Sequence, residues 1–135
     1  MMFGFGKKKY KKTRQEIQEE EAVVLSPEMK EQVLQTISLK KQKLDQAEMK
    51  EQAKLHEEIG MEYLRLGDDD SAIDSFEKSI QLEKTVGDGY KNLLRLYNKK
   101  RAEAAKANDD KSLQVYLNKM DHMMQVSKDV TRGVR

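Results

Sequence analysis

Residues 53–86 read AKLHEEIGMEYLRLGDDDSAIDSFEKSIQLEKTV, and no other stretch of the chain limits its fold so tightly. Leu55, Ile59, Tyr63 and Leu66 recur at helical spacing, which puts them on one face of a helix. Gly67 stops that helix, because a residue without a Cβ enters the left-handed C′ conformation without a clash. Asp68, Asp69 and Asp70 follow, suited to accept the free N–H groups of a second helix and to favour its positive end. A new apolar stripe begins at once with Ala72, Ile73, Phe76, Ile80 and Leu82. Two antiparallel helices joined by a tight turn satisfy all of these signals. Gly60 lies inside the first helix, where it costs about 0.8–1 kcal/mol relative to alanine. A close approach of the partner helix accounts for it, with Ala72 expected as the small residue opposite.

This combination resembles the tetratricopeptide repeat, a helix–turn–helix unit of about 34 residues. The resemblance rests on Ile59-Gly60, Tyr63, Gly67-Asp68, Ala72-Ile73, Phe76 and Leu82. His56, Ser79 and Lys84 depart from it, standing where the family has a large aromatic, a small alanine and often a proline. The resemblance implies an all-α fold of antiparallel helical hairpins that serves as a non-enzymatic scaffold for a protein or peptide partner. It also implies a concave groove lined by the first helix of each repeat. Carried over position by position, the groove residues are Lys54, Glu57, Met61, Leu64 and Arg65, then Asp88, Lys91, Arg95, Asn98 and Lys99 from a second unit. Arg65, Lys91, Arg95 and Lys99 would form a basic cluster beside apolar Met61 and Leu64. Such a surface suits an acidic or C-terminal peptide with a hydrophobic anchor. The competing reading makes the bases a solvated face and packs Met61 and Leu64 beneath the N-terminal helix.

The second unit is degenerate. Gly87-Asp88-Gly89 marks a break, and Tyr90, Leu93, Leu94 and Tyr97 repeat the first-helix rhythm as a buried stripe. The helix then continues through Ala102, Ala104, Ala105 and Ala107 to a turn at Asn108-Asp109-Asp110. A long last helix is expected to bury Leu113, Tyr116, Leu117, Met120 and Met124, with Val126 and Val130 further along.

Upstream, Ser26-Pro27-Glu28 is a strong helix start: serine as N-cap, proline at the first position, glutamate in the first turn. No glycine or proline follows until Gly60. Met29, Val33, Ile37, Leu44 and Ala47 lie near heptad spacing, so the helix either runs unbroken into the repeat or bends near Asp45–Gln52, where the stripe thins. A continuous or gently bent helix is the expectation. Lys40 interrupts that seam, which argues against a long coiled coil. A single hairpin falls below the roughly 40 residues needed to fold alone. Neighbouring units must bury its faces, so the helix from Pro27 and the final pair complete the core. Self-association would supply any shortfall. The domain division is thus a flexible tail over 1–25 and a helical domain over 26–135.

Composition excludes several classes. With 37% charged and 6% aromatic residues, the core must rest on Leu, Ile, Val, Met and Ala. The formal charge of +2 implies no partner by itself. Cysteine is absent, which removes disulfides and thiolate metal sites. No apolar run approaches the roughly 18 residues of a membrane span, and no signal-peptide core follows the basic start. A cytoplasmic protein is the expectation. The methionines around His122 (Met120, Met123 and Met124) are better read as core filler than as part of a soft-metal site, and the three aspartates lack the spacing of a calcium loop. No cofactor-binding, metal-ligating or catalytic pattern is present.

The tail carries the alternative function. Phe3, Phe5 and Tyr10 are interleaved with Lys7, Lys8, Lys9, Lys11 and Lys12. Aromatics entering the interface and lysines meeting anionic lipid would make a peripheral membrane contact. Phosphate neutralisation with base stacking would make a nucleic-acid contact, the weaker of the two. The bland reading is a solvated tail.

Overall fold

The computed structural model describes residues 25–133. Residues 1–24 and 134–135 lie outside that range, and with them the tail candidates Phe3, Phe5, Lys7, Lys8, Lys9, Tyr10, Lys11 and Lys12. The described chain is all-helical: α1 (Pro27–Leu44), α2 (Met49–Leu66), α3 (Asp69–Leu82), α4 (Asp88–Lys106) and α5 (Asp110–Arg132). No helix among the described residues is long and apolar enough to cross a membrane.

Each helix starts and stops where its local chemistry directs. Ser26 caps α1, its Oγ accepting the Met29 N–H at 3.2 Å, with Pro27 at the first position. At the end of α2, Gly67 takes φ 76°. The Gly67 N–H donates to the Leu64 carbonyl and the Asp68 N–H to Tyr63, each at 3.0 Å, the paired bonds of a Schellman motif. Asp68 then caps α3 through the Ser71 N–H at 3.1 Å. The turn between α4 and α5 repeats this. Asn108 adopts φ 56°, Asp109 donates to the Ala104 carbonyl at 2.8 Å, and its side chain accepts the Ser112 N–H at 3.1 Å.

The helices pair as successive antiparallel neighbours: α1 on α2, α2 on α3, α3 on α4 and α4 on α5, with a narrow contact between α2 and α4. The main core joins Ala72, Ile73, Phe76 and Ile80 of α3 to Leu93, Leu96 and Tyr97 of α4 and to Met123 and Val126 of α5. A smaller cluster seats Val33 and Ile37 of α1 on Ile59 of α2. Tyr63 packs against both, so the two clusters meet there.

Three expectations are corrected. The stretch from Pro27 to the repeat is not one helix: α1 ends at Leu44 and α2 begins at Met49. It folds back because Val33 and Ile37 reach burial against Ile59, with Tyr63 and Leu66 packed on the same cluster, and Lys40 then meets Glu58 at 2.9 Å. On α5 the buried face is Met123 and Val126, while Leu117 and Met124 are 39% and 58% exposed. Two overlapping stripes run along that helix. The Tyr90 hydroxyl donating to the Met123 carbonyl at 3.0 Å marks the one that faces α4. Finally, Gly60 faces the ring of Phe76 rather than Ala72.

Ser79, a departure from the small alanine, has its own role. Its buried Oγ donates to the Ala53 carbonyl at 2.7 Å, pinning the end of α3 to the start of α2. Replacing Ser79 with alanine should cost about 1 kcal/mol, read as a lowered midpoint in urea at unchanged slope.

Candidate functional site

The proposed groove face runs along α2 through Lys54, Glu57, Met61 and Leu64, which share one side of that helix by spacing. The start of α4 lies against it. The Gly89 N–H donates to Glu57 Oε2 at 2.8 Å, and the Asn92 amide reaches Met61 Sδ at 3.3 Å. A Cβ at residue 89 would fall 2.6 Å from that Glu57 oxygen. Glycine there admits the carboxylate to one of the free N–H groups of α4, whose N-cap Gly87 has no side chain to do it.

The candidate residues therefore divide. Lys54, Lys91 and Asn98 are exposed, and Met61 is 37% exposed. Arg65 is exposed beside Glu62, at 3.3 Å. Asp88 is exposed, and its carbonyl accepts the Asn92 amide at 2.9 Å. Asn98 accepts two bonds from Arg101 at 2.9 and 3.0 Å. Glu57 caps α4, and Leu64 packs on the main core. Arg95 is half-buried and donates to Asn92 Oδ1. Lys99 is half-buried and its Nζ meets Asp69 Oδ2 at 2.7 Å. Arg95 and Lys99 are therefore each held by a partner within the protein.

Asp69 and Asp70 were legible only as caps, yet Asp68 alone caps and the other two reach across to α4. Lys100 Nζ meets Asp70 Oδ1 at 2.8 Å, and that hydrogen bond holds its ammonium above the ordinary lysine pKa. Consecutive acids at one helix start and consecutive lysines 30 residues later were the available signal.

On the opposite side, α3 and α5 make no backbone approach. A cleft of about 440 Å³ lies between them, floored by Ile80, Leu93, Met123 and Val126. Ion pairs bridge it: Lys119 to Glu77 at 2.7 Å and Lys84 to Asp129 at 2.8 Å. Bonds from Lys84 and Gln125 hold the Asp129 carboxyl below its ordinary pKa of 3.8. The Tyr97 hydroxyl also donates to Glu77, and the Lys119 ammonium lies 5.6 Å from the Tyr97 ring centroid. A second cleft, of about 550 Å³, separates α1 from α3 and holds His56 with Lys41, Tyr63, Asp74 and Lys78. Burial and the nearby Lys78 push the His56 imidazole below its ordinary pKa.

No protein-family model, curated protein or solved structure matches the chain.

Proposed function

We propose that this chain is a tetratricopeptide-like adaptor without enzymatic activity, which holds a protein or peptide partner against the joined faces of α2 and α4. The observation that carries this reading is the union of those faces through the Glu57–Gly89 and Met61–Asn92 contacts, with Met61 left partly exposed and Lys54 and Lys91 exposed on the two helices. An apolar anchor on helices that also expose cations suits an extended segment carrying a hydrophobic side chain and acidic neighbours. The basic component is narrower than the sequence implies, since Lys99 is matched by Asp69.

The test is the full chain with Met61→Glu and Lys91→Glu, used as bait beside the wild type in extracts of its source cells. Both positions are on the surface, where substitutions usually stay within about 0.5 kcal/mol, so the melt should be unchanged. A partner held on this face should be lost from the variant. Wild-type capture should also weaken with salt, because exposed charges are screened over roughly 8 Å at physiological ionic strength. Equal capture by both proteins at low salt removes the assignment.

A further inference from the structure

The connection between α1 and α2 is built unlike the other two sharp turns. Those carry a left-handed residue at Gly67 or Asn108 followed by an aspartate cap. Residues 45–48 (Asp-Gln-Ala-Glu) contain no glycine, proline or positive φ. Asp45 is already helical at φ −63° and ψ −26°, and the next two amides make only long bonds of 3.3 Å to Lys43 and Leu44. The chain leaves helical geometry at Glu48, with φ −76° and ψ 164°, and no side chain there caps α2. Ala, Gln and Glu are good helix formers, so the backbone propensity of these residues does not oppose closing this gap. The fold-back is held by the contacts between α1 and α2 and by the Gln52 amide, which donates to the Leu44 carbonyl across the gap at 3.2 Å. Among the described helices, the backbone of α1 approaches only α2.

Those contacts have a further property. On a continuous helix at 100° per residue, Val33, Ile37 and Leu44 of α1 and Ile59 and Leu66 of α2 fall within an arc of about 80°. Both halves of the hairpin interface would then face the same way, within the width of one apolar stripe. Two such helices laid antiparallel would restore Val33 and Ile37 on Ile59, and Lys40 on Glu58, each across the pair.

We propose that residues 45–48 are a hinge and that α1 exchanges between two copies of this chain. The partner of α1 is the α2 of a second copy, in a two-fold dimer whose 27–66 segments are single helices. Exchange repeats the hairpin's own contacts and adds the helical hydrogen bonds of the hinge, at the loss of independent tumbling. The dimer is therefore favoured by concentration.

The experiment mixes the full chain in ¹⁴N and ¹⁵N forms, unfolds and refolds them together at high concentration, and isolates the dimer by size exclusion. A carbodiimide then couples Lys40 to Glu58, whose charged atoms lie 2.9 Å apart. Exchange gives mixed-isotope Lys40–Glu58 linked peptides in about half of the product. Lys119–Glu77 links, at 2.7 Å, remain same-isotope as the internal control. In parallel, Glu48→Pro fits the observed φ but is incompatible with a continuous helix. It should cut the dimer fraction at least tenfold with an unchanged melt, while Asp45→Ala raises it. Absence of a dimer, a dimer with only same-isotope Lys40–Glu58 links, or a Glu48→Pro protein that dimerises as well as wild type would each overturn the proposal.

Discussion

Leucine in place of Gly60 should abolish the cooperative melting transition of this protein. A Cβ at that position would stand 2.7 Å from Phe76 Cε1 and 2.8 Å from Cδ1, and Phe76 is 0% exposed. The ring has no solvent to swing into, since Ala72, Ile73 and the α4 side chains enclose it. Overpacking typically costs about 1–3 kcal/mol when a core can still yield. Evicting the ring costs on the scale of a Phe→Ala change, about 3–5 kcal/mol. Either is a large part of the roughly 5–15 kcal/mol that holds a domain together. Alanine makes the finer test. Its helix propensity would add up to about 1 kcal/mol, so a loss of stability in Gly60→Ala isolates the steric term. Phe76→Leu should recover part of that loss, a coupling visible in a double-mutant cycle. A Gly60→Leu melt within a degree or two of wild type would refute the close contact.

The second large effect belongs to Glu77, which joins three helices from its place on α3. It accepts the hydroxyl of Tyr97 on α4 and the ammonium of Lys119 on α5. Tyr97 is 4% exposed, so Glu77→Ala leaves a buried phenol without its acceptor. That should cost about 2–3 kcal/mol, and Glu77→Gln, which keeps an acceptor, should cost less. The same site governs alkaline stability. Burial, then the bond and charge of Glu77, raise the Tyr97 phenol well above its ordinary pKa of 10. Below pH 10 both folded and unfolded chains keep that proton, and the contribution is fully present. Above it the unfolded chain ionises first, so stability falls as pH rises. Tyrosinate absorbance should show Tyr97 ionising only with loss of helical circular dichroism. Ionisation of all five tyrosines in the folded state would contradict this.

Sequence alone reached the helices more surely than their partners. Local signals set the ends: Ser26, Gly67 and Asp68 act on backbone groups within a few residues, so their effect can be read in place. The fold-back after Leu44 is marked only by the thinning of the apolar stripe over residues 45–52, because contact between Val33 and Ile59 decides it. On α5 the Leu113, Leu117 and Met124 stripe is as regular as the one that is buried, on which Tyr116, Met120 and Val130 also pack. Only the position of α4 selects Met123 and Val126. The candidate site shows the same division. Surface positions such as Lys54 and Lys91 follow from helix phase. The cap that Glu57 supplies to α4, and the pairing of Lys99 with Asp69, depend on a second helix arriving.

The two corners at residues 67–71 and 108–112 spell nearly one phrase, Gly-Asp-Asp-Asp-Ser and Asn-Asp-Asp-Lys-Ser. They close arms of different reach: 18 and 14 residues in the first hairpin, 19 and 23 in the second. The corner is thus a self-sufficient piece of punctuation. It ends one helix and begins the next with bonds drawn wholly from its own residues and the turn before it. Arm length is then free to vary by whole turns, limited by what the flanking faces can cover and not by the joint. A lineage of such chains can lengthen or trim its hairpins while leaving its syntax untouched.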